Sequence, residues 1–232
     1  MTGVFLDNDI LIKMSAYGLG VELLEATTFS GVAPSMLAIG RFVVKDRLAR
    51  PGRFNDGARA GKHFEGILTA LELIEPTKAE IEQAAVFEAA AARVGLEFDA
   101  GESQLLAMLL ARGARLLVTG DKRAITAIAV VCGEAVESRI ACLEQLLSTT
   151  VRSCGPAPIR EAVCSEPAAD KASTNCFTCS AATCPPMEDV LGGLVSYIRS
   201  IRESSGRVLF WEDDLLSLSS QEDGVGVDEA SN

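Results

Sequence analysis

Short apolar runs that close on an acid or a turn, each followed by a helical pattern, recur through the first two-thirds of the chain. That alternation constrains the fold more than any other feature. Val4-Phe5-Leu6 is such a run and ends in Asp7. Arg115 to Thr119 (RLLVT) is the clearest, and Gly120-Asp121 follows it at once. A shorter run lies around Leu73. Helical signals fill the intervals. Asp9 is placed to cap a helix reaching about Ala16. Ser35 is placed to cap a pattern of Leu37, Ile39, Phe42 and Val43 that stops before Pro51. A helix is expected from about Asn55 to Leu71. Thr77-Lys-Ala-Glu80 reads as a capping box opening a helix that Gly95 ends, and Asp99-Ala-Gly-Glu102 reads as a second, ending at Gly113. Helices carrying Ile125 and Ile128, and then spanning about Ser138 to Leu147, complete the pattern. Strands separated by helices imply an α/β domain over residues 1–150, with a mostly parallel sheet covered on both faces.

Residues 151–207 differ. They hold Pro156, Pro158, Pro167, Pro185 and Pro186, and they read as an irregular Cys- and Pro-containing extension. Its one strong element is an amphipathic helix, with Met187, Val190, Leu191, Leu194, Ile198 and Ile201 on one stripe. That stripe must be covered by the rest of the chain or by a partner, such as a second copy. Val208 to Trp211 could add an edge strand. Residues 208–232, with seven acids and no Lys or Arg, read as an acidic, disordered tail.

The formal charge of −11 is therefore concentrated at one end. In contrast, Arg41 to His63 carries seven basic residues against Asp46 and Asp56. Arg41, Lys45 and Arg47 are candidate contacts for a nucleic-acid backbone, and a solvated helix face is the plain alternative. The tail could also fold back over this basic segment. No apolar run approaches the ~18 residues that cross a bilayer. The N-terminus lacks a basic and apolar leader, so a cytoplasmic setting with reduced thiols is expected.

The acids carry the chemistry. Asp7 and Asp121 stand at the carboxyl ends of two strands, and Asp99 and Glu102 open a helix. Open parallel sheets bind ligands outside the carboxyl ends of their strands. Several carboxylates at one rim repel one another unless a cation neutralises them, and hard divalent ions take oxygen ligands. Each acid also has a purely structural reading as a helix cap.

LDNDIL at Leu6–Leu11, the stretch AGESQLLAMLLARGARLLVTGDKRAI at Ala100–Ile125, and their separation together resemble the PIN-domain family. The resemblance covers residues 1–147 and implies a three-layer α/β sandwich with a metal-dependent ribonuclease site. It implies that Asp7, Asp99, Glu102 and Asp121 hold Mg²⁺ or Mn²⁺ and carry catalysis on RNA, with Asp9 and Thr119 supporting them. Many members are toxins of toxin–antitoxin pairs, so an antitoxin, or a homodimer through the C-terminal helix, is the implied protein partner. One departure stands out. The family usually carries a further acid on the helix after the second strand, and SMLAIGRFVVKDRL has Arg41 near that place. Either Asp99 supplies the charge, or the chain is a catalytically degenerate scaffold that binds protein or RNA.

Asp7-Asn8-Asp9 after an apolar strand also fits the D-x-D of haloacid-dehalogenase-like phosphatases, with Asp7 as nucleophile and Asp9 as acid/base. Finally, Cys164, Cys176, Cys179 and Cys184 form C-x11-C-x2-C-x4-C. They are candidate structural Zn²⁺ ligands, the alternative being free thiols.

Overall fold

The structure is a computed structural model, and it describes residues 3–220. Glu222, Asp223, Asp228 and Glu229 of the expected tail lie outside the described residues.

The chain runs β1 (Val4–Leu6), α1 (Asn8–Tyr17), α2 (Gly20–Thr27), β2 (Ser35–Leu37), α3 (Gly40–Ala49), α4 (Gly57–Leu68) and β3 (Glu72–Ile74). It continues through α5 (Lys78–Arg93), α6 (Ala100–Arg112), β4 (Leu116–Thr119), α7 (Lys122–Cys132), β5 (Ile140–Cys142) and α8 (Leu143–Cys154). The remaining helices are α9 (Pro156–Ser165), α10 (Lys171–Cys176), α11 (Met187–Ser205) and α12 (Leu216–Ser220). The strands form one sheet in the order β3-β2-β1-β4-β5, and every pairing is parallel. From β1 the chain winds outward to β2 and β3, then returns to lay β4 and β5 on the other side. The order therefore reverses between β1 and β4, which is where an open α/β sheet leaves a crevice at its carboxyl ends.

Alternation along the strands builds the layers. Val4, Leu6, Leu116 and Val118 face one helical layer with Ile10, Leu11 and Phe64. Phe5, Leu37, Leu117 and Ile140 face the other with Ala84, Leu105 and Ile125. A strand buried on both faces needs a continuous apolar run, and the fully buried LLVT of β4 is one.

Several boundaries differ from the sequence reading. Ser35 does not cap a helix. It begins β2, pairing with Phe5 of β1 on one side and Glu72 of β3 on the other, and the helix starts only at Gly40. Asp7, not Asp9, caps α1. The helix expected from Ser138 to Leu147 is instead β5 followed by α8, because Ile140, Ala141 and Cys142 pair with β4. Gly18 could not have been another residue. Its φ is +75°, and a Cβ there would come within 2.7 Å of the His63 ring.

The segment from 151 to 207 is not irregular. α8, α9 and α10 occupy much of it, and Ile159, Val163, Phe177, Val190 and Leu194 join the same core as the sheet. The amphipathic stripe of α11 is consumed within the chain: Val190, Leu194, Ile198 and Ile201 are all buried. Of the two covers expected for that stripe, the rest of the chain is the one found, so a homodimer or antitoxin would not dock on these residues. The start of the acidic tail is likewise packed. Ile140 donates its N–H to Val208 O at 3.0 Å, Phe210 N–H returns to Ile140 O at 2.6 Å, and Leu209, Phe210, Leu215 and Leu218 are buried. Its acids meet Arg152 (Asp214, 2.8 Å) and Arg202 (Asp213, 3.3 Å), not the basic Arg41–His63 segment. No helix among the described residues is long and apolar enough to cross a membrane.

Candidate functional site

Asp7 follows β1 directly and is 6% exposed. Its N–H donates to Val118 O on β4 at 3.0 Å, which seats it at the β1/β4 crevice. Its Oδ2 accepts from Asp9 N–H at 3.3 Å, the cap of α1, and from Thr119 Oγ1 at 3.2 Å. Thr119 Oγ1 in turn accepts Asp121 N–H at 3.2 Å. One hydroxyl thus ties the two strand ends together. Burial pushes the Asp7 carboxyl up to about 6, and the charges of Asp9 and Asp99 add to this. The N–H groups of Asp9 and Asn8 pull the other way.

Asp99 and Glu102 form a complete capping box on α6. Glu102 N–H donates to Asp99 Oδ1 at 2.9 Å, and Asp99 N–H donates to Glu102 Oε2 at 3.2 Å. The structural reading of these acids as caps therefore holds, and it does not compete with a place in the site. Glu102 is only 8% exposed. Burial and then the negative charges of Asp99, Asp7 and Asp121 push its carboxyl up to about 8. Asp121 caps α7 through Arg123 N–H at 2.8 Å and pairs with Arg123 Nη2 at 3.0 Å. Burial acts to raise it, but these Arg123 contacts outweigh burial and hold it below the ordinary carboxylate value.

The rim thus gathers Asp7, Asp9, Asp99, Glu102 and Asp121 within electrostatic reach, together with the Thr119 hydroxyl. Helix N-termini of α1, α3, α6 and α7 also open here, and their partial positive ends favour anionic groups. The close fit has a steric signature. A Cβ on Gly40 would collide with Asn8 Oδ1, and one on Gly120 would collide with Asp9 Oδ2. Asn8 reaches between the α3 and α6 N-termini, its Nδ2 lying 3.9 Å from where a Gly101 Cβ would stand.

Other features were not singled out by sequence reasoning. Lys13, one turn beyond Asp9, pairs with it at 2.7 Å and with Asp170 at 2.9 Å. The i to i+4 spacing of Asp9 and Lys13 signalled the first contact, while nothing local signals Asp170, which is distant in sequence. Arg123, the partner of Asp121, follows it by two residues within the Ala100–Ile125 stretch.

The basic segment is partly neutralised. Lys45 pairs with Glu65 at 2.8 Å and Arg50 with Asp46 at 2.7 Å. Arg41, in the first turn of α3, stacks over the exposed ring of Phe42 at 4.6 Å. The first turn of α3 contains no acid.

A hard divalent cation fits the chemistry of the rim, since every donor is a carboxylate or hydroxyl oxygen and two of the carboxylates are buried against like charges. Among the described residues, no three His, Cys, Asp or Glu side chains are gathered tightly enough to hold an ion as they lie. The cysteine set does not fit zinc. Cys164 and Cys179 are joined in a disulfide with a Cα separation of 5.3 Å, Cys176 is buried, and Cys184 is exposed. Burial, then the Glu144 charge, pushes the Cys176 thiol up to about 12, far from a metal-ready thiolate. The expectation of reduced thiols is corrected at Cys164 and Cys179 by the same disulfide.

Comparison with family models, with curated proteins and with solved structures finds no match.

Proposed function

We propose that this chain is a PIN-like, metal-dependent phosphodiester hydrolase acting on RNA, with the helices beyond residue 150 as an elaboration of that fold. The observation that carries the reading is the buried Asp7–Glu102 pair, with Asp99 beside it, at the crevice between β1 and β4. Like charges held together away from water are costly, and a site that persists in this state is one that a cation relieves. Asp7, Asp99, Glu102 and Asp121 are the residues that would hold Mg²⁺ or Mn²⁺. When bound, the cation supplies Lewis-acid activation of water and of the phosphodiester.

The chain's own groups supply the rest. Thr119 fixes the orientation of Asp7 through its hydroxyl. Burial and the neighbouring carboxylates push the Glu102 carboxyl up to about 8, so as a ligand it would have to bind the cation in its deprotonated form. The N-termini of α1, α6 and α7 offer positive potential to a phosphate. Arg41, with Lys45 and Arg47 along α3, holds the RNA backbone without reading its sequence.

The test is cleavage of single-stranded RNA by purified protein with Mn²⁺ present, abolished by EDTA and by Asp7→Asn. Activity unchanged in Asp7→Asn overturns the assignment. Release of phosphate from small phosphomonoesters through an aspartyl-phosphate would favour the phosphatase reading instead. A second reading, a non-catalytic scaffold that binds RNA or protein, is favoured by two observations. The first turn of α3 lacks an acid, and Asp121 is already engaged by Arg123. Saturable RNA binding that EDTA leaves unchanged, without cleavage, would support it.

A further inference from the structure

The segment between Cys164 and Cys179 does more than fill a corner of the fold. The disulfide closes it into a loop of sequence separation 15, and that loop holds one fully buried acid, Glu166, and one largely covered acid, Asp170. Glu166 is fully buried, and its two oxygens accept the N–H groups of Asp56 and Asn55, each at 2.7 Å. Ser165 adds contacts to Asn55 (2.7 Å) and Arg59 (3.0 Å). This end of the loop is thereby locked to the start of α4. Four residues on, Asp170 turns the other way. Its Oδ1 caps α10 by accepting Ser173 N–H at 2.8 Å, and its Oδ2 lies 2.9 Å from Lys13 Nζ.

Lys13 is the link to the rim. It is buried and lies between Asp170 and Asp9, with Asp9 Oδ2 at 2.7 Å. A buried ammonium needs both acids to remain charged without water. Asp9 itself sits where a Gly120 Cβ would be, beside the Thr119–Asp121 strand end. The chain of contacts thus runs from the disulfide loop through Asp170 and Lys13 to Asp9 at the carboxylate rim.

We propose that Asp170 is a positioning residue for the rim, acting through Lys13 on Asp9, and that the thiol state of Cys164 and Cys179 controls it. The proposal rests on the hydrolase reading for the meaning of the rim, but not for the coupling itself. Opening proceeds by thiol–disulfide exchange with a dithiol reductant. One reductant thiolate attacks one sulfur of the pair, the S–S bond breaks, and the other sulfur leaves as a thiolate and takes a proton. The second reductant thiol then closes its own disulfide and releases the first cysteine as a thiol. Two electrons and two protons pass to the protein, and the reductant is oxidised. Both cysteines are half-buried residues. Once opened, the loop is no longer closed on itself, Asp170 loses its fixed place, and Lys13 is free to leave Asp9 for water.

The full-length protein is compared in oxidised and dithiol-reduced form, with two variants. Cys164→Ser with Cys179→Ser mimics reduction. Asp170→Asn keeps the α10 cap, because Asn caps as well as Asp, but removes the charge facing Lys13. Circular dichroism confirms folding in each case. The first readout is acylation of Lys13 by an amine-selective reagent, followed by peptide mass mapping. In the oxidised protein Lys13 is protected. On reduction, and in Asp170→Asn even when oxidised, its rate rises about tenfold or more, as expected when a buried site opens locally. Asp170→Glu restores protection, which a loss of packing alone would not allow. Lys13 equally protected in the oxidised protein, the reduced protein and Asp170→Asn overturns the coupling. The second readout is Mn²⁺ affinity, weaker in the reduced protein and in Asp170→Asn. Equal affinity in all forms overturns control of the rim. If no form binds Mn²⁺, it is the hydrolase reading that fails, and Lys13 protection still decides the coupling.

Discussion

Thr77–Glu80 at the start of α5 and Asp99–Glu102 at the start of α6 are the same local device, a complete capping box in which each side chain takes the other residue's N–H. Their electrostatics are opposite. Glu80 is 6% exposed and receives two parallel hydrogen bonds from Arg112, at 2.7 and 2.8 Å. Those bonds hold its carboxyl down at about 2. Glu102 is buried to a similar degree but has no bidentate cationic partner, and burial with the charges of Asp99, Asp7 and Asp121 sets it at about 8. A cap motif specifies where a helix begins. What lies across from it decides whether its Glu is a paired carboxylate or a buried carboxyl pushed toward its neutral form.

The contrast breaks most sharply at Arg112. Replacing Arg112 with Met leaves Glu80 buried without its partner, and chemical denaturation should register a loss of about 3 kcal/mol. Glu102→Gln should do the reverse. At pH 8 and without metal it removes a buried like charge, so stability should rise by about 1 kcal/mol. Loss of stability in Glu102→Gln under those conditions would mean that the rim is not electrostatically strained.

The two boxes also predict opposite pH profiles. Glu80 is depressed on folding, so its contribution is in full above about pH 4.5 and is lost as pH falls through about 2. Glu102 is raised on folding, so its contribution is in full below about pH 4.5 and is lost as pH rises through about 8. The metal-free melting temperature should therefore decline between pH 5 and pH 8, and Arg112→Met should not change that slope. Mn²⁺ should raise the melting temperature more at pH 8 than at pH 5, because at pH 5 protons compete for Glu102. The smallest expected effect sits at the caps themselves. Thr77→Ala should cost about 1 kcal/mol, and Asp99→Asn, which retains a capping oxygen, only a few tenths.

Both boxes, β1 and β4 were legible because each writes its pattern into consecutive residues. The difference between Glu80 and Glu102 was not, since Arg112 lies a whole helix away from Glu80. The strands β2 and β5 were missed for a related reason. Ser35-Met36-Leu37 opens on a residue that also suits a helix cap, and Ile140-Ala141-Cys142 runs without a break into the apolar spacing of α8. The acids of the rim could be nominated from strand ends and helix starts. The pairing of Asp121 with Arg123, and the reach of Asp170 to Lys13, depend on the folded chain. The C-terminal third misled most. Its prolines suggested irregularity, but Pro156 sits at the first position of α9, where a missing N–H costs nothing.

If the Asp7–Glu102 rim is the divalent-cation site proposed above, cation binding must displace protons from its raised carboxyls. Calorimetric titration of the full-length, oxidised protein with Mn²⁺ at pH 7.5, repeated in buffers of different ionisation enthalpy, tests it directly. Saturable binding is expected, with a buffer-dependent heat that reports proton release from Glu102, and with binding lost in Asp7→Asn. Absence of binding, or binding of equal strength in Asp7→Asn with no proton released, would contradict it.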